Sequence, residues 1–202
     1  MTDYFALLDE PRRPWLEPEA LKSKFLSLAA ESHPDKQNCA NESEKLAANR
    51  RYAELSAAFN CLAEPKLRLL HLLELELGAK PSEVQQIPSA LADLFAEVAT
   101  ACRNADVFLA EKNKAISPLL QAQLFERGQE WAERLRMLQT KLAGPRSRLV
   151  EELKSLDALW MAKPRAGGPT TLLGRLEELY RLFGYFNRWN SQIQERIVQL
   201  SL

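Results

Sequence analysis

Apolar residues recur at helical spacing along this chain from one end to the other, and strand-like alternation is absent from the sequence. Asp3 is placed to cap a short helix carrying Tyr4, Phe5, Leu7 and Leu8. The two prolines of DEPRRP end it. Pro18 suits a first helical position, and beyond it Leu21, Phe25, Leu28 and Ala29 share one face. Pro34 stops this second helix and pushes His33 out of helical geometry. Asn41 and Glu44 have capping-box spacing ahead of a third helix, whose stripe is Ala48, Tyr52, Leu55, Phe59 and Leu62. Pro65 opens a fourth helix, PKLRLLHLLELEL, which Gly78 closes. It is apolar nearly all round, which predicts burial on more than one side, between two domains.

GAKPSEVQQIP reads as a linker. A long helix follows, with Leu91, Leu94, Phe95, Val98, Cys102, Ala105, Phe108 and Leu109 inward. Ser117-Pro118 starts another, carrying Leu120, Leu124, Trp131, Leu135, Leu138 and Leu142. Gly144-Pro145 predicts a stop and a restart, after which Leu149, Leu153, Leu156 and Trp160 form the next stripe. KPRAGGPTT reads as a loop. The last helix carries Leu172, Leu176, Leu179, Phe183, Phe186, Ile193, Ile197 and Leu200. These stripes predict an all-α protein that ends in an antiparallel helix bundle.

Composition agrees. Leu, Ala, Glu, Lys, Arg and Gln dominate over Val and Ile, and these are helix formers. Formal net charge is zero, with residues 1–77 at −3 (10 basic, 13 acidic) and the remainder at +3 (17 basic, 14 acidic). Neither half carries a nucleic-acid or membrane signal. No apolar run approaches the roughly 20 residues needed to span a bilayer. The first residues, MTDYFALLDE, hold acids where a signal peptide holds basic residues, and Cys39, Cys61 and Cys102 are sparse and unpaired in sequence. A cytoplasmic protein is therefore expected, without a cofactor or metal site.

The sequence has no GxxxxGK[ST], GxGxxG, HExxH or GxSxG motif, so an enzyme is not expected. Of the two histidines, His71 lies in the apolar fourth helix and reads as a packed structural residue. Arg12-Arg13, Arg50-Arg51, Glu151-Glu152 and Glu177-Glu178 read as surface charge, and the tryptophans as core.

One stretch stands apart. AAESHPDKQN turns through His33-Pro34-Asp35 just as the second helix ends. Chance alone gives that tripeptide in about one chain in a hundred of this size, so the flanks decide. Before it lies a helix with Lys22 and Lys24. After it come Lys36 and a second amphipathic helix, and a short Tyr-Phe helix precedes the pair. DYFALL, FLSLAAESHPDK and YAELSAAFNCLAEPKLR in this arrangement resemble a J domain, the module that stimulates DnaK-type chaperones. PKLRLLHLLEL followed by a helical C-terminal part, without a Gly/Phe-rich or zinc-binding segment, is similar to the HscB family of iron–sulphur co-chaperones.

The resemblance implies a J domain over 1–78 and a client-binding helical bundle over 79–202. It implies as partners a DnaK/HscA-type ATPase chaperone and an iron–sulphur scaffold protein. It makes His33, Pro34, Asp35 and Lys36, with Lys22 and Lys24, the chaperone-binding residues. Pro34 would fix the exit angle, and His33 would donate to free carbonyls at the helix end. Asp35 would face outward toward a bidentate arginine of the chaperone. Leu91, Leu94, Phe95 and Val98 occupy the family's docking position for the client, although core packing explains them as well. The rival is a J-like interaction or scaffold protein with a different client or without chaperone activation.

Overall fold

The computed structural model describes residues 2–31, 42–81, 88–162 and 170–201. Among them every regular element is helical. The α-helices are α1 (Tyr4–Leu7), α2 (Pro18–Glu31), α3 (Glu42–Ala63), α4 (Pro65–Leu77), α5 (Ala92–Lys112), α6 (Pro118–Met161) and α7 (Thr170–Ser201), and a 3-10 turn at Ser89–Leu91 leads into α5.

The sequence punctuation holds at several ends. The Asp3 carboxylate accepts from the amides of Phe5 and Ala6 at 3.0 and 3.2 Å. Pro65 takes the first turn of α4, where Glu64 adds a cap by accepting from the Leu67 amide at 2.7 Å. Gly78 ends α4 at φ +69°, a left-handed conformation that favours glycine, and its N–H reaches the Glu74 carbonyl. The expected break at Gly144-Pro145 does not occur, because α6 continues through Pro145. A proline inside a helix removes one donor and crowds the carbonyl four residues back, at about 3 kcal/mol. Buried Leu138, Leu142 and Leu153 on the flanking turns offset that cost. The Asn41 half of the expected capping box and most of the linker and of the KPRAGGPTT loop lie outside the described residues.

By contact the chain forms two compact units. The first is Met1–Ser82 with Val150–Arg181. In it α2 and α3 pack through Leu21, Ala29, Leu55, Ala58 and Leu62, with Phe25 stacked on Phe59 at 4.6 Å between ring centroids. Tyr52, expected on the buried stripe, is exposed. The partners of α4 lie within the same unit. Tyr4 and Phe5 flank His71, Lys66 sits over Tyr180, and Arg68 stacks on Trp15.

The second unit is Glu83–Leu149 with Leu182–Leu202, a three-helix bundle. Lys141 pairs with Glu97 and Arg127 with Glu111, so α5 and α6 run in opposite directions. Gln139 bonds Asn190, Arg146 lies over Phe183, and Gly128 meets the Leu200 carbonyl, so α6 and α7 are antiparallel as well. A Cβ at Gly128 would sit 3.2 Å from that carbonyl oxygen, and this close approach explains the glycine. The core combines Val98, Cys102, Ala105 and Phe108 of α5, Leu124, Ala132, Leu135 and Leu138 of α6, and Phe186, Trp189, Ile193 and Ile197 of α7.

His71 is a structural residue, as expected. It is buried, and its Nε2 accepts the Tyr4 amide at 3.0 Å, which requires the proton on Nδ1. Burial lowers its pKa, Asp3 and Glu74 oppose that, and Arg12 adds to it. The folded value is thus below the unfolded one, so the contribution to stability is full above about pH 6.5 and is lost as pH falls through the folded value. Melting temperature should therefore drop between pH 7.5 and 5 in the wild type. It should drop less in His71→Gln, whose amide oxygen can accept at any pH. Identical pH profiles would remove this assignment.

Candidate functional site

Of the six residues expected to bind the chaperone, two are described. His33, Pro34, Asp35 and Lys36 lie outside the described residues. Lys22 and Lys24 lie on α2, beside the stripe that Leu21 and Ala29 bury, Lys24 half-buried. Lys22 is exposed and makes no ion pair among the described residues. Lys24 is committed elsewhere: its ammonium bonds the Asp9 carbonyl and pairs with Asp9 and Glu10 at 3.2 and 3.3 Å. Asp9 holds this position at φ +53°, which aspartate tolerates better than most residues. The free positive charge of α2 is therefore smaller than a count of its lysines suggests. Beside it on α3, Arg50 and Arg51 are exposed, as the sequence implied.

Arg12 is exposed too, as expected, and Arg13 half-buried, but both hold carboxylates within the first unit. Arg12 bonds the Asp3 carboxylate at 2.8 Å. Burial pushes the Asp3 carboxyl up, but Arg12 and the amides of Ala6 and Phe5 outweigh it and hold the carboxyl below its ordinary value. Arg13 grips both oxygens of Asp157, which also accept the Trp15 amide at 3.1 Å. The Asp157 side chain is 5% exposed, and this hydrogen bonding holds the Arg13 guanidinium above its ordinary pKa despite burial. Trp160 donates to the Arg12 carbonyl at 2.9 Å, and Lys154 lies over the Trp15 ring. These contacts carry residues of α6 into the first unit. Trp15, Trp131 and Trp160 are half-buried, and Trp189 alone of the four is fully buried.

Arg68 was not singled out by sequence. It is 2% exposed, donates to the carbonyls of Pro14 and Leu62 at 2.8 and 2.6 Å, and leaves Nη2 without a partner among the described residues. Burial brings its pKa down to about 10, which keeps it charged at neutral pH. Two of the acid pairs also differ from expectation: Glu152 and Glu178 both hold Arg175, and Glu177 pairs with Arg181. Such half-exposed pairs contribute little individually. Among the described residues no group of three His, Cys, Asp or Glu side chains is placed to hold a metal ion, and no helix is long and apolar enough to cross a membrane.

The second unit holds the expected client face, and the structure divides it. Val98 is 1% exposed and faces the core with Cys102 and Ala105, so it belongs to packing and not to an open surface. The reason is register: α5 buries positions three and four apart, and Val98 begins that series. Leu91 and Leu94 are half-buried against the same core. Phe95 is 42% exposed, with its ring 6.3 Å from that of Trp189, which Tyr185 and Phe186 flank in turn. Glu97, two residues on, is paired with Lys141 at 2.6 Å. What remains open is an apolar ledge led by Phe95, set beside the Trp189, Tyr185 and Phe186 rings.

No protein-family model matches the chain. Its fold resembles that of chaperone HscB from Vibrio cholerae, with TM-score 0.56 and 18% identity over 96% of each chain. It also resembles human co-chaperone protein HscB, with TM-score 0.58 and 16% identity over 96% of this chain and 81% of that one. The chain thus has an HscB-like, all-α fold.

Proposed function

We propose that this chain is a J-domain co-chaperone, with the J domain in 1–78 and the client-binding part in 79–202. On this proposal it stimulates the ATPase of a DnaK/HscA-type chaperone and delivers a client for iron–sulphur cluster assembly in the cytoplasm, doing no covalent chemistry itself. The observation that carries the proposal is the fold likeness to two HscB proteins along 96% of the chain. It is joined by His33-Pro34-Asp35, which stands in sequence between α2 and α3. Single-turnover ATP hydrolysis by a DnaK-type chaperone tests it. Micromolar amounts of this chain should accelerate hydrolysis, and an unchanged rate would sink the proposal.

The client half is tested separately. Phe95 is the most open residue of the ledge, and aromatic anchors carry a large share of interface energy. Calorimetry of the full chain against an iron–sulphur scaffold protein should give a dissociation constant that Phe95→Ala weakens about tenfold or more. Val98→Ala should instead lower stability, since it opens a gap in the core. Binding that Phe95→Ala leaves untouched would move the client elsewhere.

The capture of Lys24 by Asp9 and Glu10 favours a second reading, a J-like scaffold that does not activate a chaperone. That protein would bind its client normally and leave the chaperone's ATPase at its basal rate.

A further inference from the structure

The corner where α5 turns into α6 is apolar in a way the bundle does not use. Ile116 is 91% exposed, Leu119 72% and Val107 71%, and Leu120 and Phe125 are nearly half exposed. The core of the second unit takes nothing from them, since the inward series of α6 begins at Leu124 and that of α5 closes at Phe108 and Leu109. Two hollows flank the first turns of α6 and share Ala115 as a wall. One, of about 530 Å³, lies between Val107, Ala110, Leu120 and Leu124. The other, of about 680 Å³, lies between Leu109, Gln121, Phe125 and Gln199. Projecting aliphatic side chains thus stand beside one mainly apolar hollow, that of about 530 Å³, while Lys112, Asn113, Gln121 and Gln199 make the other half polar.

We propose that this corner is the contact surface of a homodimer of the chain. Three observations select a second copy as the occupant. The surface carries both knobs, Ile116 and Leu119, and hollows, which is what a two-fold contact of one patch with itself requires. The rim carries both signs, with Glu111 paired to Arg127 and with Lys114 and Glu126 exposed, so it offers no single-signed field to a basic or acidic partner. The chain's net charge is zero, so two copies meet without long-range repulsion. Area fits as well. Taking roughly 150–200 Å² for a large apolar side chain fully open to water, the five expose on the order of 600 Å². With a polar rim that approaches the ~800 Å² per partner of a standard interface. Left open, it is at the upper end of what a monomer shows.

The test is sedimentation velocity on the full chain across low to high micromolar concentrations. A concentration-dependent dimer that persists at moderate salt is expected. Ile116→Glu combined with Leu119→Glu should raise the dissociation constant at least tenfold and leave the melting temperature of the monomer unchanged, because both side chains stand in solvent. Val107→Glu, on the other helix, should weaken the dimer independently. Amide exchange over 107–125 should slow as concentration rises. A chain that stays monomeric throughout overturns the proposal, as does a dimer indifferent to these substitutions. If the chain is monomeric and the same substitutions weaken binding of a chaperone or client, the dimer is again overturned and the corner belongs to that partner. The Phe95 ledge is a different surface, so the outcome does not bear on the proposed function.

Discussion

Replacing Asp35 by asparagine is expected to reduce chaperone stimulation to the unstimulated rate and to leave the fold intact. On the proposed function, this carboxylate meets a guanidinium of the ATPase domain in a charge-assisted contact. Asparagine keeps the shape but offers one acceptor oxygen in place of two and no charge. Removing one member of such a pair at a closed interface costs several kcal/mol of binding, enough to lose stimulation at any practical concentration. Stability should change little, because on the same proposal the carboxylate serves the partner and not the fold, and substitutions away from a core fall within about 0.5 kcal/mol. Single-turnover hydrolysis and a thermal melt run side by side decide it. A mutant that stimulates normally rules out the His-Pro-Asp mechanism, and one that fails to fold would point to a structural role for the loop.

The second large effect concerns stability. Arg13→Ala should destabilise the first unit by about 3–5 kcal/mol, because it leaves the buried Asp157 carboxylate with one amide as its remaining partner. Asp157→Asn should cost less, about 1–2 kcal/mol. Arg13 is a third exposed and can turn to water, and the asparagine oxygen can still accept from the Trp15 amide. The asymmetry between the two variants is the informative quantity. Denaturant melts measure its size, and amide exchange over 150–162 locates it, since that stretch should lose protection first. Equal costs for the two variants would mean that the buried unpaired charge is not what governs stability here.

The helices were legible because burial on one face writes a periodic pattern. Every one of the eight apolar residues from Leu172 to Leu200 named for the last helix is buried. Asp3, Pro65 and Gly78 mark ends where they were expected, because capping is a property of a few adjacent residues. Tyr52 and Leu120 were read as inward and are exposed, since period alone does not say how far a stripe extends around a helix. Pro145 was read as a break, and the local rule lost to the leucines buried on both sides of it. The candidate site divides the same way. The His-Pro-Asp tripeptide is a feature of adjacent residues and could be found by reading, whereas Val98 and Phe95 look equivalent in sequence and differ in exposure, 1% against 42%.

The sequence by itself determined that this protein is all-helical, where most of its helices begin and end, and that His-Pro-Asp stands between the second and third. Each of those depends on groups within a few residues of one another. Only the tertiary structure decided that Arg13 and Arg12 hold carboxylates, that Lys24 is paired with Asp9 and Glu10, that Arg68 is buried on two carbonyls, and that residues 150–181 pack with the N-terminal helices. Those outcomes depend on partners up to 148 positions away. A charged side chain carries no local mark of whether water or a distant carboxylate will complete its hydrogen bonds, and the choice is made only when folding brings the partner within about 3 Å.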